Sequence, residues 1–228
     1  MKNYFYLGKR EPEYRELLSQ SCIRIEDKVI PLSQVVSAEQ VHGNQIHICT
    51  EADSGAGFGD KAKVAGVDGL ITAAKEQYLM IRTADCAPVL MMDKQHRAVA
   101  ALHSGRDGTR LNIVGKAIDM LKEHFGILPQ DLCVWIGACI CAQHYQVSAE
   151  LYEEFVIAMQ EQKLYPRLNQ GNQIDIRLAV FQQLLRAGVA FRDIDQDMNC
   201  TYQDRSYHSY RRDGSKLRQI NIVGIEHE

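Results

Sequence analysis

Between residues 67 and 126 the hydrophobic period changes once, and that change limits the folds open to the chain. VDGLIT (67–72), QYLMIRTAD (77–85), APVLMMD (87–93) and RAVAALHSG (97–105) are short β-type runs separated by turn residues. In RLNIVGKAIDMLKEHFG (110–126) the apolar residues Leu111, Val114, Ile118, Leu121 and Phe125 instead fall three or four apart, with Gly126 at the stop position. That spacing predicts an amphipathic helix with a glycine C-cap. DLCVWIGACI returns to a buried strand, and Ser148 is an N-cap candidate for a helix through Leu151, Phe155 and Met159. Asp175 can cap another, with Leu178, Phe181 and Leu185 on one face and Gly188 ending it. FRDIDQDMNC, SYHSY and RQINIVGI read as closing strands.

Strands and helices alternate without a regular βαβ rhythm. The expectation is therefore a layered α+β domain, α/β/α-like with a mixed sheet, rather than a doubly wound one. At 228 residues the chain suits one domain over 1–228. QVVSAEQVHGNQIHICT (34–50) alternates well enough for two short strands around His42 and Gly43. The glycine-rich stretch 51–66 reads as a mobile loop.

A formal net charge of −3 gives no electrostatic reason to expect nucleic acid or an anionic membrane as partner. No window approaches the roughly 18 apolar residues of a membrane span. Seven scattered cysteines and no signal-peptide core read as reduced thiols in a cytoplasmic protein. Monomer and homodimer both remain open.

His42 and His103 stand out among eight histidines because each ends an apolar run just before or near a glycine, where a scaffold presents side chains to a cleft. His96, His124 and His227 read as surface residues, and His47 as a satisfied core histidine. Cys86 ends the TADC run. On spacing alone, two turn histidines beside a buried cysteine are an equally good account, because these residues match no short zinc motif.

Gln40-Val41-His42-Gly43, Asp68-Gly69-Leu70-Ile71-Thr72, Thr83-Ala84-Asp85-Cys86-Ala87-Pro88-Val89 and His103-Ser104-Gly105 together resemble the YfiH or laccase-domain family. The likeness continues through Ile136–Ile140, Tyr145–Val147, Asn199–Tyr202 and Ser209–Gly214, covering about residues 38–225 in order. The resemblance implies a metal, usually zinc with copper possible, held by His42, Cys86 and His103. One thiolate and two imidazoles leave an open fourth position, as catalytic zinc requires. The implied activity is phosphorolysis of adenosine, inosine, guanosine and methylthioadenosine, with adenosine deamination as a second reaction and phosphate as co-substrate. Arg211 and Arg212, with Gln40, are then candidates for substrate binding, and Arg82 and Arg106 stand behind them. Without the resemblance, the arginine pair suits a solvated strand edge equally well. Laccase chemistry is not expected, since eight histidines with no His-x-His pair do not furnish a copper cluster.

The chain departs from the usual His-Ala-Gly-Trp-Arg-Gly pattern at Arg106 and Asp107, and it lacks the family's Thr-Arg-x-Gly-Gly-Val-Ser segment in residues 1–37. Cys139, Cys141, His144 and Cys200 read as packed thiols rather than a second metal site, having no zinc-knuckle spacing. Two further functions compete. One is a cysteine hydrolase acting on an amide such as a peptidoglycan precursor, with Cys86 as nucleophile and His103 as base. The other is a non-catalytic metal-binding member. His42 separates the first two, because a metal site requires it and a Cys-His dyad does not.

Overall fold

The computed structural model describes residues 2–10, 12, 14–25, 27–165 and 171–227. Its elements in chain order are β1 (Lys2–Leu7), α1 (Tyr14–Leu17), β2 (Cys22–Ile25), β3 (Lys28–Pro31), β4 (Val35–Ser37), β5 (Ile46–Cys49), β6 (Gly69–Thr72), β7 (Tyr78–Thr83), β8 (Ala87–Asp93) and β9 (Val99–Ser104). There follow α2 (Arg106–Arg110), α3 (Ile113–Phe125), β10 (Leu132–Ile136), α4 (Ala149–Glu161), α5 (Ile176–Ala187), β11 (Ile194–Gln196), α6 (Tyr210–Asp213) and β12 (Gln219–Glu226).

Two mixed sheets stack. One has the order β11-β10-β8-β9-β6-β5, the other β1-β12-β7-β4, and β2-β3 form a separate hairpin. Strand periodicity explains why their central strands, β8, β9 and β12, are buried on both faces. In β8, Val89 and Met91 face the helix layer of α3, α4 and α5, while Leu90 and Met92 face the second sheet. In β7, Leu79 and Ile81 meet that same inter-sheet core, and Tyr78 and Met80 turn to the hairpin and α1. The layers thus run helices, six-stranded sheet, four-stranded sheet, hairpin. No helix among the described residues is long and apolar enough to cross a membrane.

The caps follow the expected chemistry. Gly126 ends α3 in the left-handed region at φ 64°, and Ser148 and Asp175 accept the backbone N–H groups of Leu151 and Leu178. Three expectations are corrected, the last of them at segment 51–66. The buried residues of α5 are Ile176, Arg177, Ala179, Val180, Gln183 and Leu184, whereas Leu185 is exposed and Leu178 and Phe181 are half-buried. The helix rotates this way because Gln183 finds partners inside: its amide donates to Thr109 O and Gln162 Oε1, both at 2.7 Å. The segment SYHSY is not a strand. Ser209 caps the single turn α6 through Arg212 N at 3.2 Å, and Gly214 closes it at φ 61°. An N-cap serine and a C-cap glycine five residues apart outweigh the β-formers between them.

Glycine-rich segment 51–66 is packed rather than loose in the fold: Ala56 and Phe58 are buried, and Gly55 N donates to Val35 O.

Candidate metal centre and cleft

The register of β8 and β9 brings Cys86 and His103 together. Pro88 pairs with His103 and Ala87 with Ser104, so the residue preceding β8 lies beside the end of β9. On the other side of β9, Gly69 pairs with Leu102, and His103 N donates to Asp68 O at 2.7 Å. Asp68, His103 and Cys86 therefore share one end of three neighbouring strands. The loop before β5, which pairs with β6, delivers His42 to the same end.

Asp68 is fully buried and organises two donors. Its carboxylate accepts the backbone N–H groups of Val41 (3.2 Å), His42 (2.9 Å) and Gly43 (2.7 Å). This holds the turn in which His42 adopts φ 66°, a left-handed conformation that a non-glycine residue adopts only when its surroundings impose it. The same carboxylate lies 2.7 Å from His103 Nδ1. With Nδ1–H donating there, the Nε2 lone pair of His103 is turned toward Cys86. Sequence reasoning placed Asp68 in a motif without giving it this role; the signal was an acid one residue before a strand that neighbours both ligand segments.

Cys86 is held from the other side. Asp85, at φ 89°, accepts from Thr201 Oγ1 and Arg211 N, both at 2.7 Å, which fixes the residue before the thiol. The ligand atoms of His42, Cys86 and His103 all lie within 4.8 Å of one another, and the two rings meet edge to face at 4.8 Å between centroids. Gly105 forms the floor beneath them: a methyl there would come within 3.1 Å of Cys86 Sγ and 3.5 Å of His42 Cδ2. Burial pushes the thiol up, but His103 and then His42 outweigh it and lower Cys86 to about 6. Burial also works against a charged His103, yet Cys86 and Asp68 raise it to about 9. The two shifts act together, each charge favouring the other, in the direction of a thiolate beside an imidazolium when no metal is bound. One thiolate and two imidazoles, one oriented by a carboxylate, over a floor with no side chain, fit a borderline-soft divalent cation.

These donors open into a cleft of about 900 Å³. Among the described residues six cations line it, Arg15, Arg82, Arg106, Arg211, Lys216 and Arg218, and the acids are Asp85 and Asp107. The predicted binding residues divide. Arg211 lines the cleft, lies over the Tyr145 ring at 5.1 Å and donates to Gln146 O at 2.7 Å. Arg212 turns away to donate to the carbonyls of Thr201, Tyr202 and Tyr207 at 2.8–2.9 Å. Gln40 lines the cleft, but both ends of its amide engage the backbone of Arg82, at 2.7 and 2.9 Å. Arg82 donates to Ala38 O and stacks on Tyr14 at 4.5 Å. Arg106 pairs with Asp107 at 2.9 Å beside the cleft. His47 is half-buried and pairs with Asp53 at 3.2 Å.

The sequence model of the family described as multi-copper polyphenol oxidoreductase laccase matches residues 11–226. The chain belongs to that family. It is similar to the purine nucleoside phosphorylase of Corynebacterium glutamicum, 32% identical over 98% of this chain and 88% of the relative. A purine nucleoside phosphorylase of Streptomyces coelicolor is 33% identical over 85% of this chain and 76% of its own length. Among solved structures, YfiH of Bacillus licheniformis superposes with a TM-score of 0.77 at 30% identity, covering 85% of this chain and 75% of that one. YlmD of Geobacillus stearothermophilus gives 0.78 at 30% identity, covering 87% and 76%. The laccase-domain fold therefore extends over the elements that carry the three donors and the cationic cleft.

Proposed function

We propose that this chain is a metal-dependent purine nucleoside phosphorylase, with zinc held by His42, Cys86 and His103. The observation that carries the reading is a three-donor centre on the floor of a cationic cleft, in a chain whose relatives bear that enzyme's name. When bound, zinc supplies Lewis acidity that can polarise an oxygen or lower the pKa of a coordinated water. The chain's own residues do the rest. Arg211, already stacked on Tyr145, holds a phosphate dianion with Arg106 and Lys216 nearby, while Tyr210, Ile140 and Ile176 offer surface to a planar base. In the reaction a phosphate oxygen bonds to C1′ of the ribose as the C1′–N9 bond breaks, and the purine leaves with the electron pair and takes up a proton. Adenosine, inosine, guanosine and methylthioadenosine are the proposed substrates; adenosine deamination is a second activity of the same cleft, and copper an alternative occupant. The test is phosphate-dependent release of free base from adenosine and inosine by zinc-reconstituted protein. Cleavage independent of phosphate, or none with any of the four nucleosides, rejects phosphorolysis.

Asp68 also favours a second reading. Cys86, His103 and Asp68 form a thiolate–imidazole–carboxylate series of the kind used for amide hydrolysis. His42 is the discriminator, since it also reaches the Cys86 thiol, a contact that such a triad does not require. Amidase activity that survives both chelation and His42→Ala would establish the hydrolase instead.

A further inference from the structure

Away from the cleft donors, a second set of soft ligands converges. Cys141 and His144 belong to the turn after β10, and Cys200 to the loop after β11. His144 Nδ1 lies 3.1 Å from Cys141 Sγ and 3.7 Å from Cys200 Sγ, and the three atoms are all within 4.8 Å of one another. Around a tetrahedral zinc with bonds of about 2.3 Å to sulfur and about 2.05 Å to nitrogen, a sulfur and a nitrogen lie roughly 3.6 Å apart. The two observed separations straddle that value.

The packing holds these atoms in place. Cys200 is buried, and its sulfur accepts the backbone N–H of Cys141 at 3.2 Å. The imidazole of His144 stacks on Tyr202, with centroids 4.5 Å apart and planes at 16°. That stacking points one nitrogen at both sulfurs. The ring nitrogen can serve only one of these weakly bonding thiols at a time, and the two thiols also contact each other, so all three atoms converge on one point. The half-buried Cys141 and His144 leave a path from solvent. Cys139 stays outside the group, its thiol engaged by Arg177. The third such cluster among the described residues, His47, Cys49 and Asp53, differs: His47 and Asp53 already pair with each other.

We propose that Cys141, His144 and Cys200 form a second metal site, two thiolates and an imidazole for a thiophilic d10 cation such as zinc, with solvent in the fourth position. Soft sulfur donors select such ions over magnesium or calcium. The site fastens the 141–144 turn to the 200–204 loop. That loop supplies Thr201 to Asp85 and the carbonyls of Thr201 and Tyr202 to Arg212. The second ion is thus a staple behind the cleft, independent of whatever reaction the cleft performs.

Zinc content of the reduced full-length chain, measured by elemental analysis after gel filtration, tests the proposal. Two equivalents are expected for the unmodified protein, one for Cys86→Ala, one for Cys141→Ser and none for the double variant. Because a variant can fail for want of folding, the unmodified protein is also alkylated with and without zinc, and labelling is mapped by mass spectrometry. Zinc should slow labelling of Cys141 and Cys86 alike, at least tenfold. Equal labelling of Cys141 in both states overturns the proposal. So does a folded Cys86→Ala chain that takes up no zinc when reduced, or a Cys141–Cys200 disulfide whose reduction restores no zinc uptake.

Discussion

A single carboxylate, Asp68, fixes the backbone of one donor and the ring of another. Asp68→Asn keeps the shape but must turn an N–H₂ toward groups that are themselves donors. Zinc affinity is expected to fall roughly ten- to a hundredfold, the usual cost of losing a partner of a metal-bound histidine; competition with a chelating dye measures it, and an unchanged affinity refutes the role. Replacing His42, Cys86 or His103 with alanine should remove the cleft zinc outright, while His96→Ala leaves it in place. The pH dependence has a definite sign. Cys86 is lowered to about 6 and His103 raised to about 9, so between these values Cys86 is a thiolate and His103 carries a proton on the nitrogen that a metal would take. Zinc binding displaces that proton. Affinity should therefore rise about tenfold per pH unit in this window, more steeply below about 6 and with no further ligand contribution above about 9. Calorimetry in buffers of different ionisation enthalpy should show about one proton released near pH 7.5. Without metal, alkylation of Cys86 should reach its plateau just above its lowered pKa, and zinc should suppress it.

At the level of elements, what could be read from the chain depended on whether local signals agreed. In β8, β9 and α3 the apolar period, the turn residues and the caps all point the same way, and the structure follows them. In α5 two apolar stripes compete, and a polar residue decides: Gln183 is inside because Thr109 O and Gln162 Oε1 accept both of its N–H bonds, which no single-chain period reveals. In 206–214 the β-forming tyrosines conceal a serine-to-glycine helical turn. That turn changes the meaning of the arginine pair. Strand alternation would have sent Arg211 and Arg212 to opposite faces; the helical turn instead leaves Arg211 over Tyr145 and folds Arg212 onto four carbonyls. Cys86 and His103 were legible as strand-end residues, whereas His42 lies within the loop between β4 and β5, and Asp68, Asp85 and Gly105 act through approaches that only the tertiary fold creates. Two variants separate these roles. Arg212→Ala should cost about 1.5–3 kcal/mol of stability by stranding carbonyl groups, read as a lowered Tm. Arg211→Ala should leave Tm nearly unchanged and raise KM for phosphate roughly ten- to a hundredfold, a lost charge-assisted contact being worth about 1.5–3 kcal/mol; wild-type phosphate dependence in Arg211→Ala rejects it as the clamp.

For the whole molecule, the distribution of charge matters more than its sum. The chain carries 29 acidic and 26 basic side chains, a net −3 that would repel a phosphate dianion if spread evenly. Around the cleft the balance reverses, with six cations against two acids among the described residues. Low-dielectric walls concentrate such a field, so the cleft gathers small anions out of a mildly acidic protein's surroundings. A neutral nucleoside feels little of it. The two substrates should therefore respond differently to salt. Raising sodium chloride from low to physiological strength shortens the Debye length to about 8 Å, which screens the contributions of Arg15, Lys216 and Arg218 at the cleft's edge. KM for phosphate should climb with ionic strength, while KM for inosine and kcat at saturating phosphate stay nearly level. Lys216→Glu should reproduce the effect at low salt and flatten the subsequent salt dependence, because it removes part of the field being screened. Initial rates over a grid of phosphate and inosine concentrations at several ionic strengths provide the measurement. A phosphate KM indifferent to salt, or a nucleoside KM that rises in parallel with it, would mean that the cationic rim serves the fold and not the capture of an anion.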